Sequence, residues 1–276
     1  MKTVICPLCP HHCRLGEGKI GLCRARIGRD GKSQPLGFGQ LTSISLDPIE
    51  KKPLAHFHPG SNILSVGSFG CNMSCYFCQN EEIAQACQGD VPTRSVSPHA
   101  LCAQAQALQN QGNIGIAFTY NEPMLNPEYI GDCAAILKPL GLYTVVVTNG
   151  CFCLDAVGDL LPQVDAFNID LKGFTDAWYR RLGGDLDTVK QFIKAAHKVS
   201  HVELTTLVVP GENDSEEEID ALAAWVASID PDIVLHMSRF FPRAKARDKE
   251  ATNKELLLRL CDVARRHLKH VMPGNI

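Results

Sequence analysis

Along residues 61–276, apolar and polar positions follow two alternating periods. Short runs rich in β-branched residues predict strands, and the amphipathic stretch after each run has the 3.6-residue period of a helix. The predicted strands are residues 63–69, 115–121, 143–149, 166–172, 201–210 and 233–240. The predicted helices are residues 97–110, 126–140, 154–161, 176–181, 187–199, 215–229 and 252–270. This alternation predicts an α/β fold with a parallel sheet, and six units predict a partial (β/α)6 TIM-like barrel.

The first sixty residues differ from the rest, with few large apolar side chains and a cluster of cysteines. We therefore predict a small cysteine-rich, metal-binding segment at residues 1–60, followed by a core at residues 61–276. Nine Lys and Arg against four Asp and Glu give the segment a net charge of +5, and eighteen against twenty-six give the core −8. A basic segment can bind nucleic acid, but beside clustered thiols it more often offsets their negative charge. Nucleic-acid binding is therefore the less favoured interpretation.

The composition is that of a globular protein, with 45% hydrophobic and 21% charged residues and a net charge of −3 over 276 residues. No apolar run approaches the roughly 20 residues of a membrane span, and the N-terminus lacks a signal-peptide core. These features predict a cytoplasmic protein with no membrane partner. Because the cytoplasm is reducing, we expect the thirteen cysteines to be metal ligands and buried thiols.

Three cysteines, Cys71, Cys75 and Cys78, form a Cys-x3-Cys-x2-Cys triplet directly after the first predicted strand of the core. Thiolates select zinc, copper(I) or iron–sulfur clusters, and a closed structural zinc site needs a fourth ligand. A [4Fe-4S] cluster on three cysteines instead keeps one iron open to a small molecule. The alternatives are a zinc site that borrows Cys87 or a histidine, and three unligated thiols.

A second group of four cysteines lies in the N-terminal segment at x2, x3 and x9 spacing. Its members are Cys6, Cys9, Cys13 and Cys23. This spacing predicts one metal site, which would stabilise a segment too small to fold on a hydrophobic core alone. It does not separate zinc from an auxiliary [4Fe-4S] cluster. His11 or His12 can replace one cysteine, and reduced cysteines without metal remain the alternative.

With the aromatic Phe77 before its last cysteine, the triplet resembles the radical S-adenosylmethionine (SAM) superfamily. The sequence also resembles the activating enzymes of pyruvate formate-lyase. The closer resemblance covers essentially the whole chain and is to the radical SAM component of the AmmeMemoRadiSam system, which occurs with AMMECR-like and Memo-like proteins. The motifs that carry it are Cys-x2-Cys-Pro-His-His-Cys at 6–13, Gly-x2-Gly-x-Cys at 18–23, Asp-Pro-Ile-Glu-Lys-Lys-Pro at 47–53, Phe-His-Pro-Gly at 57–60, the triplet with Gln-Asn at 79–80, Tyr-Asn-Glu-Pro at 120–123, Asp-Leu-Lys at 170–172 and Ser-Arg-Phe at 238–240.

The resemblance implies a SAM site at the C-terminal ends of the strands, where parallel barrels carry their chemistry. It assigns cofactor binding to Phe77, Asn121, Glu122, Thr148, Asn149, Asp170, Lys172, Thr206 and His236. Glu122 is implied to accept hydrogen bonds from the amino group of SAM, although Tyr120 and Asn121 replace two glycines of the family motif. Asp170 and Lys172 are implied to hold the ribose and carboxylate, and an internal salt bridge is the compatible structural interpretation.

The resemblance also implies an oxidoreductase reaction, the reductive cleavage of SAM with an electron from a flavodoxin- or ferredoxin-type donor. The resulting 5′-deoxyadenosyl radical would abstract hydrogen from a substrate. That substrate can be a small molecule or a peptide, or it can be a partner enzyme that receives a glycyl radical. A third hypothesis is a non-catalytic metal-binding interaction module. AMMECR-like and Memo-like proteins are candidate partners.

Overall fold

The structure is a computed structural model that describes residues 3–276. Its strands are β1 (Val4–Ile5), β2 (Arg14–Leu15), β3 (Arg26–Arg29), β4 (Lys32–Pro35), β5 (Gln40–Leu41), β6 (Ser43–Pro48), β7 (Asn62–Gly67), β8 (Arg94–Ser95), β9 (Asn113–Phe118), β10 (Tyr143–Thr148), β11 (Ala166–Asp170), β12 (His201–Val208), β13 (Val234–Arg239) and β14 (Val271–Gly274). Its α-helices are α1 (Glu81–Ala84), α2 (Pro98–Ala107), α3 (Pro127–Leu137), α4 (Leu154–Val157), α5 (Asp176–Arg181), α6 (Leu186–His197), α7 (Glu216–Ala227) and α8 (Lys254–Ala264). Short 3-10 helices lie at Ile49–Lys51, Gln109–Gln111, Pro123–Leu125, Lys138–Leu140 and Gly158–Gln163.

One eight-stranded sheet with the order β14-β13-β12-β11-β10-β9-β7-β6 forms the core. The strands from β7 to β14 in this order pair in parallel, and β6 pairs antiparallel to β7. Helices cover the outside, as parallel crossover connections require. The predicted α/β fold with a partial barrel of parallel strands is confirmed.

In the eight-stranded sheet, the structure adds two strands, β6 and β14, to the six predicted. Residues 252–270 were predicted as one helix, but α8 ends at Ala264 and β14 pairs with β13 from Val271. The apolar helical period stops at Ala264 because the polar run Arg265 to His267 offers no apolar face. The other addition, β6, alternates apolar and polar residues as a half-buried edge strand does.

The predicted boundary at residue 60 stays a prediction. The structure shows that β6, before this boundary, pairs along six residues with β7, after it. Buried Arg26 also links the two parts, because its Nη1 atom donates to Glu128 Oε1 over 2.8 Å and to the Leu125 carbonyl over 3.3 Å. The N-terminal segment is therefore bound to the core through main-chain and side-chain contacts.

Side-chain caps fix where the longer helices begin. Ser97 accepts a hydrogen bond from the Ala100 N–H at the start of α2, and Ser215 accepts one from Glu218 at the start of α7. Such caps satisfy backbone donors that have no partner within the helix.

No helix among residues 3–276 is both long and apolar enough to cross a membrane.

The segment that connects β6 to β7 closes the N-terminal end of the barrel. Ile49 and Leu54 from this segment join an interior apolar cluster with Ile63, Ala117, Val145 and Ala166. This cluster fills the barrel below the level at which the functional loops begin.

Glu203, fully buried on β12, anchors the same segment. Its carboxylate accepts hydrogen bonds from the N–H groups of Ala55 and His56, over 2.9 and 2.8 Å. The Nε2 atoms of His201 and His236 lie 2.9 and 2.6 Å away. Burial acts to raise the pKa of Glu203, but these hydrogen bonds outweigh it and lower the pKa to about 2.

We expect Glu203→Gln to lower the free energy of unfolding by about 2–3 kcal/mol at pH 7, because the variant lacks the stabilised carboxylate. The folded pKa of Glu203 lies below that of an unfolded glutamate. Its stabilisation is therefore present above about pH 5 and is lost as the pH falls toward 2. Urea unfolding of both proteins from pH 7 to pH 3 measures this difference.

Glu255→Gln, at an exposed position in α8, is the control. The stability of this variant should stay within about 0.5 kcal/mol of the unmodified protein. A Glu203→Gln difference that does not shrink on acidification would contradict the assignment of the stabilisation to the ionised carboxylate.

Candidate active site

The cysteine triplet lies on a loop that leaves the C-terminal end of β7. Asn121 holds the start of this loop, since its Oδ1 accepts from the Ser68 N–H and its Nδ2 donates to the carbonyls of Phe69 and Gly70, all within 2.9–3.1 Å. Gly70 has φ +86°, and a Cβ atom there would lie 2.5 Å from the Cys23 carbonyl oxygen. Only glycine permits this close approach of the N-terminal segment to the loop.

Burial dominates the electrostatics of the three thiols. It raises the pKa of Cys71 well above the usual value, helped by the charge of Glu122. It also raises the pKa of Cys75 to about 11 and that of Cys78 to a smaller extent, and the nearby Lys172 ammonium opposes both shifts. Ionised thiolates at these positions thus require a further cation, and a bound metal centre supplies one.

Glu122 is deeply buried immediately below the loop. Its Oε1 accepts from Thr148 Oγ1 over 2.7 Å and from the Met124 N–H over 3.1 Å, and its Oε2 accepts from the Asn149 N–H over 2.8 Å. Burial raises its pKa to about 7 despite these donors. One acceptor position on Oε2 remains for a ligand donor, because a carboxylate oxygen can accept two hydrogen bonds.

Two buried asparagines connect the cysteine loop to the end of β10. The Nδ2 atom of Asn149 donates to Asn72 Oδ1 over 2.8 Å and lies 3.7 Å from the Cys71 sulfur. Asn72 Nδ2 donates in turn to the Cys151 carbonyl over 2.8 Å. Asn72 was not predicted as a site residue.

Asp170 and Lys172 form a salt bridge of 2.7 Å at the C-terminal end of β11. Burial alone would lower the pKa of Lys172, but the charges of Asp170 and Cys75 outweigh it and raise the pKa. The ammonium therefore stays charged beside the thiols. The structural interpretation of this pair is observed, and it is compatible with ligand binding at the same place.

The remaining three predicted cofactor residues lie in different environments. Phe77 is buried, and its ring stacks on that of Trp178 with a centroid distance of 5.8 Å. Thr206 is buried and donates to the Leu171 carbonyl over 2.8 Å. His236 contacts Glu203 and thus belongs to the network that closes the barrel. Cofactor contacts by these residues stay predictions.

Tyr120 adopts φ +73°, a left-handed backbone conformation that is costly for a bulky residue. Its hydroxyl donates to Asp47 Oδ2 over 2.7 Å, and the buried Lys52 ammonium lies 4.6 Å from its ring centroid. Asn80 Nδ2 donates to its carbonyl over 2.7 Å. These contacts stabilise a conformation that a glycine would adopt without strain.

The four N-terminal cysteines lie against this side of the core. Cys6, Cys9 and Cys23 are buried, and Cys13 is partly exposed. Burial raises the pKa of Cys9 to about 12, with contributions from the thiols of Cys23, Cys6 and Cys151. The Leu8 carbonyl accepts from the Cys153 N–H over 2.9 Å. His11 Nε2 donates to the Asn72 carbonyl over 2.8 Å.

Comparison with known proteins identifies the family. The radical SAM superfamily model matches residues 65–223, which include the triplet and strands β9 to β12. The chain belongs to the radical SAM superfamily. An uncharacterized protein of Methanocaldococcus jannaschii is 34% identical over 276 residues, which cover 99% of this chain and 81% of that protein. A pyruvate formate-lyase-activating enzyme of Clostridium pasteurianum is 26% identical over 173 residues, or 62% of this chain and 72% of that enzyme.

Solved structures agree on the fold. A radical SAM methyltransferase from Sphaerobacter thermophilus has a TM-score of 0.58 at 17% identity, over 79% of this chain and 67% of that one. Streptococcus suis SuiB bound to S-adenosylmethionine has a TM-score of 0.59 at 14% identity, over 76% of this chain and 51% of that one. Likeness at these identities shows the radical SAM fold and carries no conclusion about the substrate.

Membership of the radical SAM superfamily implies binding of SAM and a [4Fe-4S] cluster, and the triplet has the donor chemistry for the cluster. Soft thiolates are the ligands of iron–sulfur clusters, and three leave one iron open. Within residues 3–276, no three His, Cys, Asp or Glu side chains converge on a single metal ion. A four-iron cluster does not require such convergence, because each thiolate binds a different iron. The same observation covers the four N-terminal cysteines, whose metal stays unassigned.

Several functional residues escaped sequence reasoning because their partners are distant in the chain. Asn72 bonds across 77 and 79 positions, and Glu203 bonds across 147 and 148. The Asp47–Lys52 pair was visible within the motif at 47–53, but its contact with Tyr120 was not. Glu203 could also have been noticed in the sequence, because an acid that faces inward on a central strand is unusual.

We expect Tyr120→Ala to be less stable than Tyr120→Gly by about 1 kcal/mol, because only glycine adopts positive φ without cost. Both variants lose the ring and the hydroxyl, so their difference isolates the backbone term. Chemical denaturation of the two proteins measures it.

Ala221→Gly, at an exposed position inside α7, is the matched control, and there the glycine variant should be the less stable. If Tyr120→Ala is as stable as Tyr120→Gly, the left-handed conformation at this position is not a source of strain.

Proposed function

We propose that this protein cleaves SAM reductively at a [4Fe-4S] cluster held by Cys71, Cys75 and Cys78, and that the reaction removes a hydrogen atom from a small molecule or a peptide. The observation that carries the proposal is the placement of the three thiols. They lie on one loop at the C-terminal end of the barrel, beside Glu122 and the Asp170–Lys172 pair. This is where parallel barrels assemble their active sites.

When bound, the cluster and SAM supply the one-electron cleavage that no side chain can perform. The protein contributes orientation. Glu122 offers its remaining carboxylate lone pair to a ligand ammonium, and Lys172 offers a persistent positive charge to a ligand carboxylate. Asn149 orients Cys71 through its amide.

Aromatic packing limits access of water to the loop. Phe77 stacks on Trp178 and meets Phe240 edge to face, with ring centroids 5.8 and 6.5 Å apart. A reactive radical requires such protection, because water and stray hydrogen donors would quench it. The stacked rings also fix the direction of the loop between Cys75 and Cys78.

A second candidate reaction is the generation of a glycyl radical on a partner enzyme. The names of the relatives support it, since they include pyruvate formate-lyase-activating enzymes and an indoleacetate decarboxylase activating enzyme from Tractidigestivibacter scatoligenes, the last 20% identical over 237 residues. A protein-based radical detected by EPR on a candidate partner would favour it. Consumption of a metabolite or peptide without such a radical would favour the first reaction.

Cys75→Ala tests the proposed function directly. After anaerobic reconstitution, we expect the variant to lose the triplet cluster and to lower 5′-deoxyadenosine formation by at least about 1,000-fold, because the cleavage chemistry belongs to the cluster. Iron analysis and a product assay on the same sample measure both effects.

Cys87→Ala is the matched control, because Cys87 is partly exposed, near in the chain and outside the triplet. It should leave both readouts unchanged, whereas loss of metal from this variant would support the zinc alternative. Full SAM cleavage by Cys75→Ala would refute the proposed site.

For the N-terminal cysteines we propose a second metal site, either zinc or an auxiliary [4Fe-4S] cluster. Metal analysis of the reconstituted protein should give about eight irons for two clusters, or about four irons with one zinc. We expect Cys9→Ser to remove only the second metal and to lower the thermal midpoint by several degrees, since Cys9 is buried in this group. A variant with unchanged metal and stability would show that these thiols bind nothing.

A further inference from the structure

A short basic segment crosses the cysteine loop, and the proposed reaction does not use it. Residues 239–249 contain Arg239, Arg243, Lys245, Arg247 and Lys249 against a single acid, Asp248. This net charge of +4 lies within a core whose total is −8. We call these residues, 239–249, the basic strap.

The basic strap is attached directly to the cluster loop. The Lys245 N–H donates to the Tyr76 carbonyl over 2.9 Å, and Tyr76 lies between Cys75 and Cys78. Tyr76 also donates its hydroxyl to Glu212 Oε1 over 2.7 Å, and Lys249 Nζ lies 3.1 Å from the same oxygen. A partner seated on the strap would therefore be held in a fixed relation to the triplet.

The outward-facing basic side chains of the strap have no acidic partner among the described residues. Arg243, Lys245 and Arg247 are exposed, and none forms an ion pair with any acid among residues 3–276. By contrast, Lys249 and Arg181 are occupied by Glu212. Buried Ala246 and Phe240 fix the strap to the core, so its three outer charges point into solvent from a held backbone.

Reductive cleavage of SAM consumes one electron in each turnover, and that electron has to enter from outside the chain. A docking surface for its carrier must lie close to the cluster and attract the carrier over a distance. The strap meets both conditions. We propose that the basic strap is the docking surface for an acidic one-electron carrier protein, which passes its electron to the cluster over Tyr76. This inference rests on the proposed function.

The N-terminal segment is the competing surface, because it carries a net charge of +5 and contacts the loop from the Cys71 side. The strap is favoured because its three exposed charges lie within residues 243–247 and its backbone bonds to Tyr76, between Cys75 and Cys78. Three exposed basic residues of the N-terminal segment, Arg14, Lys19 and Arg29, provide a control of equal charge.

The test compares two triple charge reversals. One combines Arg243→Glu, Lys245→Glu and Arg247→Glu, and the other combines Arg14→Glu, Lys19→Glu and Arg29→Glu. Stopped-flow absorption follows reduction of the reconstituted cluster by a purified, fully reduced flavodoxin, and separately by dithionite. Dithionite is a small reductant that needs no docking surface.

We expect the strap variant to lower the rate of reduction by flavodoxin at least about tenfold at low ionic strength, and the N-terminal variant to stay within about twofold of the unmodified protein. The rate for the unmodified protein should fall as salt is added, and that of the strap variant should not. Reduction by dithionite should be the same for all three proteins.

Unchanged reduction of the strap variant by flavodoxin, or an equal loss in the N-terminal variant, would overturn the proposal. If the strap reversal also slows dithionite, the triple glutamine variant of Arg243, Lys245 and Arg247 decides, and it must slow flavodoxin alone. Absence of 5′-deoxyadenosine from every protein would refute the proposed function. The rates of cluster reduction would still test the docking surface in that case.

Discussion

The loop that carries Cys71, Cys75 and Cys78 contains no helix or strand, and its geometry therefore depends on hydrogen bonds from other parts of the chain. Asn121 holds its beginning, and the paired amides of Asn72 and Asn149 hold it against the end of β10. The bonds between the two paired amides are buried and those of Asn121 are partly buried, which makes them costly to break. The sheet serves this site by bringing the ends of β7, β9 and β10 to one edge.

Two polar networks lie inside the barrel. Residues that precede β7, the first parallel strand, contribute to both networks. Asp47 and Lys52 form the network under Tyr120, and Ala55 and His56 provide the N–H groups for Glu203. Buried charges are tolerated only when they are paired and hydrogen-bonded, and both acids meet this condition. Side chains consequently fill the centre of the barrel below the active site.

The fold was largely predictable because hydrophobic periodicity reports burial, which is a local property of each element. The edge strand β6 and the terminal strand β14 were missed, since one lay in a segment assigned to the cysteines and the other followed a strong helical pattern. The placement of the triplet, Glu122 and Lys172 at one edge followed from the parallel topology. The bonds of Asn72, Glu203 and Glu212 were beyond reach, because each joins side chains that only the assembled sheet brings together.

The absence of a Cβ atom at Gly70 has a consequence for the insertion of iron at the triplet. The Cys23 carbonyl fits against the loop only where no Cβ intervenes, so the N-terminal segment packs on the loop beside Cys71 once it has folded. Cys71, Cys75 and Cys78 are all partly exposed in the folded chain. Iron delivered after folding must therefore approach from a side of the loop that the N-terminal segment leaves open, whereas iron delivered earlier is not limited in this way. The order of folding and metal insertion thus determines which surface an iron donor is able to use.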